Sequence, residues 1–383
     1  MTDAAAAPTG SRLRSLDVVR GLVCVLMAID HVRVYAAVPA SGPDPAVFFT
    51  RWITHFVAPA FCFFAGTGAF FLGRKLNDTA ALRRFLVTRG LLLVVLELTL
   101  IRFFWTFNFD YSHYVLAGVI WMLGWCMVLL AAFVGMSART VGITGLAIVL
   151  LQQLFALPPQ LLKAIAPFWA FLYPSNAEPA MGIAVLYVLV PWIGVMAAGY
   201  GFGLIMAREP AERRRLCLKI GLSMTSLFVV VGGALAAFGP HAEDAPPMLF
   251  RMLNQQKYPA SQLFLLMTLG PAIALLPWAE SARGWFGNAL ETFGRVPMFY
   301  YLLHIPVIHL AAMVVSQIRT GSVIPQLVGN FPMAPPQMPD GYRWSLPLLY
   351  LVWAVVIVGV LYPACRWYAG LKARKPGGWL QYI

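Results

Sequence analysis

Four ionisable side chains lie inside the first long apolar segment of the chain, residues 16–37. They are Asp17, Arg20, Asp30 and His31. A charged side chain at the centre of a bilayer costs about 2.5–3.5 kcal/mol or more, so such groups persist mainly where they line a protein interior or a water-filled cavity. Arginine binds anions, and histidine is suited to accept a proton near neutral pH. The residue types therefore predict a polar site that is enclosed by protein on one membrane helix.

The spacing of these residues places three of them along one face of the helix. Arg20 and His31 are eleven residues apart, close to three helical turns. They are therefore about 16 Å apart along the helix axis. Asp17 lies one turn before Arg20 on nearly the same stripe, whereas Asp30 points about 100° away from His31. A polar stripe of this length predicts a site that acts across the bilayer.

The composition is that of a polytopic membrane protein. Of the 383 residues, 60% are hydrophobic and 11% are charged, far from the proportions of a soluble protein. Ten apolar stretches are long enough to cross about 30 Å of hydrocarbon. They cover residues 16–37, 47–72, 85–106, 114–135, 139–157, 182–206, 216–238, 259–278, 292–316 and 345–368. We therefore predict an all-α, polytopic transmembrane bundle of about ten spans. No group of side chains has metal-ligand spacing, so we expect no metal site.

Lysine and arginine residues are distributed unevenly between the predicted loops. With the N-terminus in the cytoplasm, the cytoplasmic segments carry 19 of them and the opposite side carries eight. This bias predicts that both termini are cytoplasmic, with Arg20 near the cytoplasmic side and His31 near the outer side. Residues 1–15 are then a disordered N-terminus, 16–368 the transmembrane domain and 369–383 a basic tail. The net charge of +13 reflects this topology, and no nucleic-acid partner is expected.

Other ionisable residues lie at the same predicted level as His31. His55 is early in the second span, Glu97 is in the third, Lys257 precedes the eighth and His304 lies in the ninth. Intramembrane histidines and carboxylates are typical of catalysis and of coupled transport alike, and a single buried histidine is often purely structural. The residues alone therefore leave two functions open, an enzyme and a transporter or flippase of a small solute or lipid-linked sugar.

Seven segments, in order along the chain, resemble one family of membrane enzymes. They are LDVVRGLVCVLMAIDH, THFVAPAFCFFAGTG, LELTLIRFFWTFN, VIWMLGWCM, PWIGVMAAGYGFG, KYPASQLFLLMTLGP and GRVPMFYYLLHIPVIHL. The spacing from Arg20 to His31 is similar to the Arg-x10-His signature of transmembrane acyltransferases. The closer similarity is to the bacterial relatives of heparan-alpha-glucosaminide N-acetyltransferase.

This resemblance implies a multi-pass protein of the bacterial inner membrane. Such an enzyme moves an acetyl or other acyl group from cytoplasmic acyl-CoA to a hydroxyl or amine of an extracytoplasmic acceptor, usually a carbohydrate. Acyl-CoA is the expected donor, the lipid bilayer and the acceptor are the expected partners, and a homodimer is possible because related proteins form dimers. The resemblance favours the enzyme over the transporter.

The resemblance also implies roles for single residues. The phosphates of acetyl-CoA are expected at Arg20, together with Arg14 or the pair Arg83 and Arg84. The family pattern has a histidine in the loop after the first span, and this chain has none from residue 32 to residue 54. His31 or His55 is therefore the expected base, or the nucleophile if an acyl-histidine forms.

The remaining candidates would assist that histidine. Asp17 or Glu97 is the expected charge partner of His31. Donors to the developing oxyanion are sought among Lys257, Tyr258, Arg251 and His304, and Lys257 is also a candidate for binding the donor.

Overall fold

The computed structural model describes residues 13–40, 42, 44–112, 115–158, 161, 165–175, 179–242, 244–329 and 338–375, and over these residues the fold is almost entirely helical. The helices are α1 (Arg14–Tyr35), α2 (Pro45–Trp52), α3 (Val57–Leu76), α4 (Thr79–Leu96), α5 (Arg102–Thr106), α6 (Val119–Phe133), α7 (Ala138–Leu150), α8 (Ala166–Trp169), α9 (Trp192–Met206), α10 (Pro210–Phe238), α11 (Met248–Leu253), α12 (Gln262–Ala274), α13 (Leu276–Ser281), α14 (Gly284–Arg295), α15 (Pro297–Thr320), α16 (Leu346–Val355) and α17 (Tyr362–Arg374). Single 3-10 or π turns, including Ile53–Phe56, Glu97–Ile101 and Val356–Leu361, join several of them. Strands β1 (Val115–Ala117) and β2 (Ile183–Val185) pair in parallel, with Val115 opposite Ile183.

Five helical stretches are long and apolar enough to cross a membrane. They are Pro45–Leu76, Pro210–Phe238, Gln262–Ser281, Pro297–Thr320 and Leu346–Arg374, and α6, α7 and α9 are shorter apolar helices. Helices α1 and α4 are long as well but carry five and three charged side chains respectively. The all-α membrane architecture is therefore confirmed, whereas the count of ten spans and the cytoplasmic termini stay predictions.

The helical part of the chain extends slightly further than the predicted transmembrane domain. Helix α1 begins at Arg14, and α17 continues to Arg374. Most of the predicted N-terminal tail (residues 1–12 of 1–15) and part of the basic C-terminal tail (residues 376–383 of 369–383) lie outside the described residues.

Helix α1 is the central element of the bundle. It packs against α3, α14, α15 and α16, and most of its residues are buried. Asp17 lies in its first turn and Arg33 in its last turn, where each charge is stabilised by the helix dipole. The polar stripe of α1 therefore faces protein rather than lipid.

Glycines bring the helices together at backbone distance. A Cβ atom added to Gly199 of α9 would lie 1.9 Å from the Phe63 carbonyl oxygen of α3, and one on Gly21 of α1 would lie 1.8 Å from the Leu290 carbonyl oxygen of α14. The pairs α4–α6, α7–α9 and α10–α12 meet in the same way, at Gly90 and Gly124, at Gly145 and Gly194, and at Gly221 and Gly270. Because lipid tails are as apolar as leucine, close packing of small residues is the main attraction between such helices. These contacts set the positions of α1 and α3 around the site.

We expect Gly199→Ala to destabilise the fold, because the new methyl group must push α9 away from the α3 backbone. Overpacking of this kind costs about 1–3 kcal/mol. The matched control is Gly370→Ala in α17, where nothing lies within 4 Å of the added Cβ. Thermal unfolding in detergent should show a lower melting temperature for Gly199→Ala and an equal or higher one for Gly370→Ala. Equal stability of the two variants would contradict the close helix contact.

Candidate functional site

A cavity of 670 Å³ opens at the C-terminal end of α1. We call it the His31 cavity. Its walls combine charged side chains with aromatic rings, and those that matter below are Asp30, His31, Arg33, Arg51, Trp105, Tyr187, Lys257, Tyr258 and Tyr301. A mixed wall of this kind can hold a polar molecule with flat faces.

A second cavity, of 360 Å³, lies beside the N-terminal half of α1, and we call it the Arg20 cavity. Among the described residues, four cationic side chains line it, Arg20, Arg89, Arg295 and Lys372, and no Asp or Glu does. The rest of its wall is apolar and includes Phe61, Leu72, Phe85, Leu123, Met127 and Met298. This cavity therefore fits an anionic group attached to a largely apolar chain.

The two cavities are neighbours along the helix axis. Val119 and Tyr301 line both of them. Since Arg20 and His31 belong to one unbroken helix, about 16 Å of helix axis separates the cations from the histidine. A long ligand bound at the cations can thus reach toward the His31 cavity past these two side chains.

His31 is in direct contact with a second histidine. Its Nδ1 atom is 2.7 Å from Nε2 of His304, and the two rings lie nearly end to end, with centroids 4.8 Å apart and planes 27° from parallel. Trp105 meets the His31 ring edge-on at 4.9 Å. His304 itself is completely buried, and its Nδ1 lies 2.6 Å from the carbonyl oxygen of Tyr301. The structure therefore joins two of the predicted site residues that are far apart in sequence.

The two carboxylates expected to assist His31 lie elsewhere. Asp17 is 3.8 Å from Arg20 and about 21 Å from His31 along the axis of α1. The Glu97 carboxylate accepts hydrogen bonds from the backbone N–H groups of Ile120 (2.9 Å) and Trp121 (3.3 Å). It thereby caps the N-terminus of α6, where a negative charge is favourable. The partner of His31 is therefore a histidine and neither of the two predicted carboxylates.

Asp30 is the carboxylate nearest to His31 in sequence, and it forms a local ion pair. Its Oδ1 is 2.8 Å from Nε of Arg33, which also donates to the Val38 carbonyl at 2.8 Å. Both ionised groups line the His31 cavity.

His55 does not reach the cavity. Its neighbours Thr54 and Val57 line the His31 cavity, but His55 is not among the lining residues and is 97% shielded from solvent. Its ring meets Phe264 edge-on at 5.6 Å, and neither ring nitrogen has a hydrogen-bond partner among the described residues. Of the two histidines proposed as base, only His31 faces a cavity.

The cations expected around Arg20 are partly different ones. Arg14 pairs with Glu291 and donates to the Ala282 carbonyl (2.9 Å) and to Asn288 (2.8 Å), so it joins α1 to α14. Arg83 and Arg84 are exposed and do not line the Arg20 cavity.

Three other cations, Arg89, Arg295 and Lys372, line the Arg20 cavity, where the sequence predicted Arg14, Arg83 and Arg84. A signal for Arg89 was present in the sequence, because it lies one and a half turns deeper in the apolar part of α4 than Arg84. Arg295 and Lys372 had no such signal. They are brought to the cavity by the packing of α14 and α17.

Lys257 belongs to the His31 end of the site. Its ammonium group is 5.2 Å from the Tyr258 ring centroid and 5.9 Å from that of Tyr187. Lys257 and Arg51 line the cavity without forming an ion pair with any described residue. Arg251, another oxyanion candidate, instead donates to the Ala236 carbonyl at 2.6 Å and does not line the cavity. Lys257 and Tyr258 are thus the oxyanion candidates that line the cavity.

The loop before α16 holds the cavity end of α1 in place. The Tyr342 hydroxyl donates to the Tyr35 carbonyl (3.1 Å), and the backbone N–H of Trp344 donates to the Ala36 carbonyl (3.0 Å). Burial raises the pKa of Tyr342 to about 12, so its phenol remains a donor at neutral pH. No group of three metal-ligating side chains occurs in the part of the chain that the structure describes.

A family model described as Heparan-alpha-glucosaminide N-acetyltransferase, catalytic, matches residues 12–238. The match covers more than half of the chain and includes Arg20, His31 and Arg89. It confirms the resemblance that the sequence segments indicate. No curated protein matches the chain.

We expect Glu97→Ala to lower the melting temperature in detergent, since it leaves two buried N–H groups at the start of α6 without an acceptor. Each such loss costs about 1–3 kcal/mol. Glu97→Gln retains an acceptor oxygen and should be less destabilised than the alanine variant. A Glu97→Ala protein as stable as the wild type would contradict the capping role.

Proposed function

This chain belongs to the family of heparan-alpha-glucosaminide N-acetyltransferase catalytic domains, a family of membrane acetyltransferases, and we propose that acyl-CoA is its donor. The acceptor that we propose is a hydroxyl or amine of a carbohydrate on the outer side of a bacterial inner membrane. The donor would bind in the Arg20 cavity, and the acceptor would bind in the His31 cavity.

The observation that carries this proposal is the pairing of the two cavities. Acyl-CoA has phosphates at one end, a long uncharged arm, and a thioester at the other end. Four cations line the Arg20 cavity together with apolar walls, and two of them, Arg20 and Arg295, also face Asp17 and Glu291. The excess of positive charge suits the phosphates and the start of the arm. Past Val119 and Tyr301, the arm would bring the thioester to the His31 cavity.

The His31 cavity has the features of a site for a polar, ring-shaped acceptor. Trp105, Tyr187 and Tyr258 offer flat faces to a sugar ring, and Arg51 and Lys257 supply positive charge without a bound carboxylate. These two cations favour an acceptor that bears a negative charge. The chain leaves both oxygen and nitrogen acceptors possible, since a base can serve either.

The chemistry needs one proton acceptor and one hydrogen-bond donor. The acceptor's oxygen or nitrogen attacks the thioester carbonyl carbon while His31 removes its proton. Lys257 or Tyr258 donates to the oxyanion of the tetrahedral intermediate. The carbon–sulfur bond then breaks, and the proton passes from His31 to the leaving sulfur, so that free CoA and the acylated acceptor are formed.

The proposed sidedness follows from the distribution of lysine and arginine. With both termini cytoplasmic, the Arg20 cavity opens toward the compartment that contains acyl-CoA, and the His31 cavity opens toward the opposite side. The CoA arm would thus carry the acyl group across about 16 Å, roughly half of the hydrocarbon thickness.

The first prediction concerns donor binding. We expect Arg89→Gln to weaken acetyl-CoA binding by about tenfold or more, because a charge-assisted hydrogen bond contributes about 1.5–3 kcal/mol. Arg84→Gln is the matched control, since it makes the same change on the same helix at an exposed position outside the cavity. Calorimetry on purified protein in detergent measures both. Equal affinities would contradict the assignment of the Arg20 cavity to the phosphates, and wild-type protein without any acetyl-CoA binding would favour the transporter.

The second prediction concerns the base. We expect His31→Ala to reduce acyl transfer by about 10²–10⁴-fold, which is the usual contribution of a general base. Acetyl-CoA binding should be nearly unchanged, because His31 lies outside the Arg20 cavity. His55→Ala is the comparison, and it should retain turnover. Loss of turnover in His55→Ala with retention in His31→Ala would assign the base to the second histidine.

A further inference from the structure

We propose that His304 is a positioning residue that holds His31 in the tautomer with a proton on Nδ1 and a free lone pair on Nε2. The importance of this tautomer for turnover rests on the proposed acyl transfer. The tautomer itself is a property of the folded chain, and it can be measured without any substrate.

The argument begins at the backbone of α15. His304 Nδ1 is 2.6 Å from the Tyr301 carbonyl oxygen and 3.2 Å from that of Tyr300. A carbonyl oxygen can only accept, so Nδ1 of His304 carries a hydrogen atom. In a neutral imidazole the other nitrogen is then an acceptor. The ring is completely buried with no carboxylate in hydrogen-bond contact among the described residues, and a cation there would be costly.

The tautomer of His304 determines which nitrogen of His31 carries hydrogen. Nε2 of His304 is 2.7 Å from Nδ1 of His31, and one of these two atoms must donate. Because Nε2 of His304 is the acceptor, Nδ1 of His31 is the donor. Nε2 of His31 then keeps its lone pair, and it has no hydrogen-bond partner among the described residues. His31 lines the cavity where we place the acceptor.

The surrounding rings keep this pair from rotating. His304 stacks on Tyr300 at 5.3 Å and meets His31 end to end, while Trp105 contacts the His31 ring in a T-shaped arrangement at 4.9 Å. The hydrogen bonds start at the backbone carbonyl of Tyr301, whose direction is fixed by the helix. The tautomer of His31 is thus set by the backbone of α15.

This arrangement also defines what His304 does not do. Since its Nε2 accepts from His31 and its Nδ1 donates to the backbone, no N–H group is left for an oxyanion. His304 therefore acts through His31, and the oxyanion donors remain Lys257 and Tyr258. When His31 takes the acceptor's proton on Nε2, its Nδ1–H stays bonded to His304, and the same proton leaves from Nε2 to the thioester sulfur.

The direct test is nitrogen-15 NMR on protein labelled at histidine and reconstituted without substrate. Nitrogen shifts and two-bond couplings distinguish a ring nitrogen that carries hydrogen from one that does not. His31 and His304 are assigned from the signals that His31→Gln and His304→Gln remove. We expect both rings neutral with hydrogen on Nδ1. A hydrogen on Nε2 of neutral His31, or a doubly protonated His304, would overturn the proposal whether or not the protein transfers acyl groups.

Variants provide the functional readout. His304→Gln can place its amide oxygen where Nε2 accepts, so it should keep the His31 tautomer and turnover close to the wild type. His304→Leu has no acceptor, and it should lose the tautomer preference and reduce kcat by about 10²-fold or more at an unchanged KM for acyl-CoA. The matched control is His309→Leu, on the same helix and equally buried, whose Nε2 lies 2.6 Å from the Leu327 carbonyl oxygen instead of beside His31.

The outcomes separate the two proposals. If the wild-type protein transfers no acyl group but His31 carries its hydrogen on Nδ1, the proposed function is refuted and the proposed role of His304 is supported. Active protein in which His304→Leu and His309→Leu lower kcat equally, with no loss of the His31 tautomer, would refute the positioning role. If His304→Leu does not fold, the wild-type spectrum and the His304→Gln variant decide the question.

Discussion

The polar side chains of α1 must all be satisfied inside the protein, because the helix is buried in an apolar bundle. Water is not available there to hydrate a charge, so each ionised group needs a protein partner or a wet cavity. Asp17 and Arg20 face each other, Asp30 pairs with Arg33, and His31 bonds to His304. The neighbouring helices supply these partners and enclose the polar stripe. Helices α14 and α15 lie against α1, and a cavity opens at each end of its polar stripe.

Both halves of the chain build the site. The family match ends at residue 238 and includes Arg20, His31 and Arg89. The later helices and loops supply His304 and Lys257 to one end and Arg295 and Lys372 to the other, and they supply Tyr301 to both cavities. A protein truncated after the matched range would therefore lack the partner of His31 and half of the cations in the Arg20 cavity.

Tyr301 connects the two ends of the proposed reaction. Its side chain lines both cavities, and its backbone carbonyl accepts the hydrogen bond from His304. A change in the helix at this residue would therefore affect the passage between the cavities and the hydrogen bond that orients the histidines together. Glycine contacts between helices limit such changes, since backbones that already touch cannot move closer.

The sequence by itself determined the membrane character, the helical class, the family and the polar stripe on α1. The membrane character, the helical class and the polar stripe are local properties, because hydropathy and a period of 3.6 residues decide which side chains share a helix face. The family was indicated by the resemblance of seven segments along the chain. The sequence also identified His31 and His304 as candidates, but not that they touch. Only the tertiary structure decided that Glu97 caps α6, that His55 stays outside the His31 cavity, and that Arg89 rather than Arg83 or Arg84 lines the Arg20 cavity. His31 and His304 are 273 residues apart. Which faces meet across such a distance depends on how whole helices pack, and no local pattern encodes it.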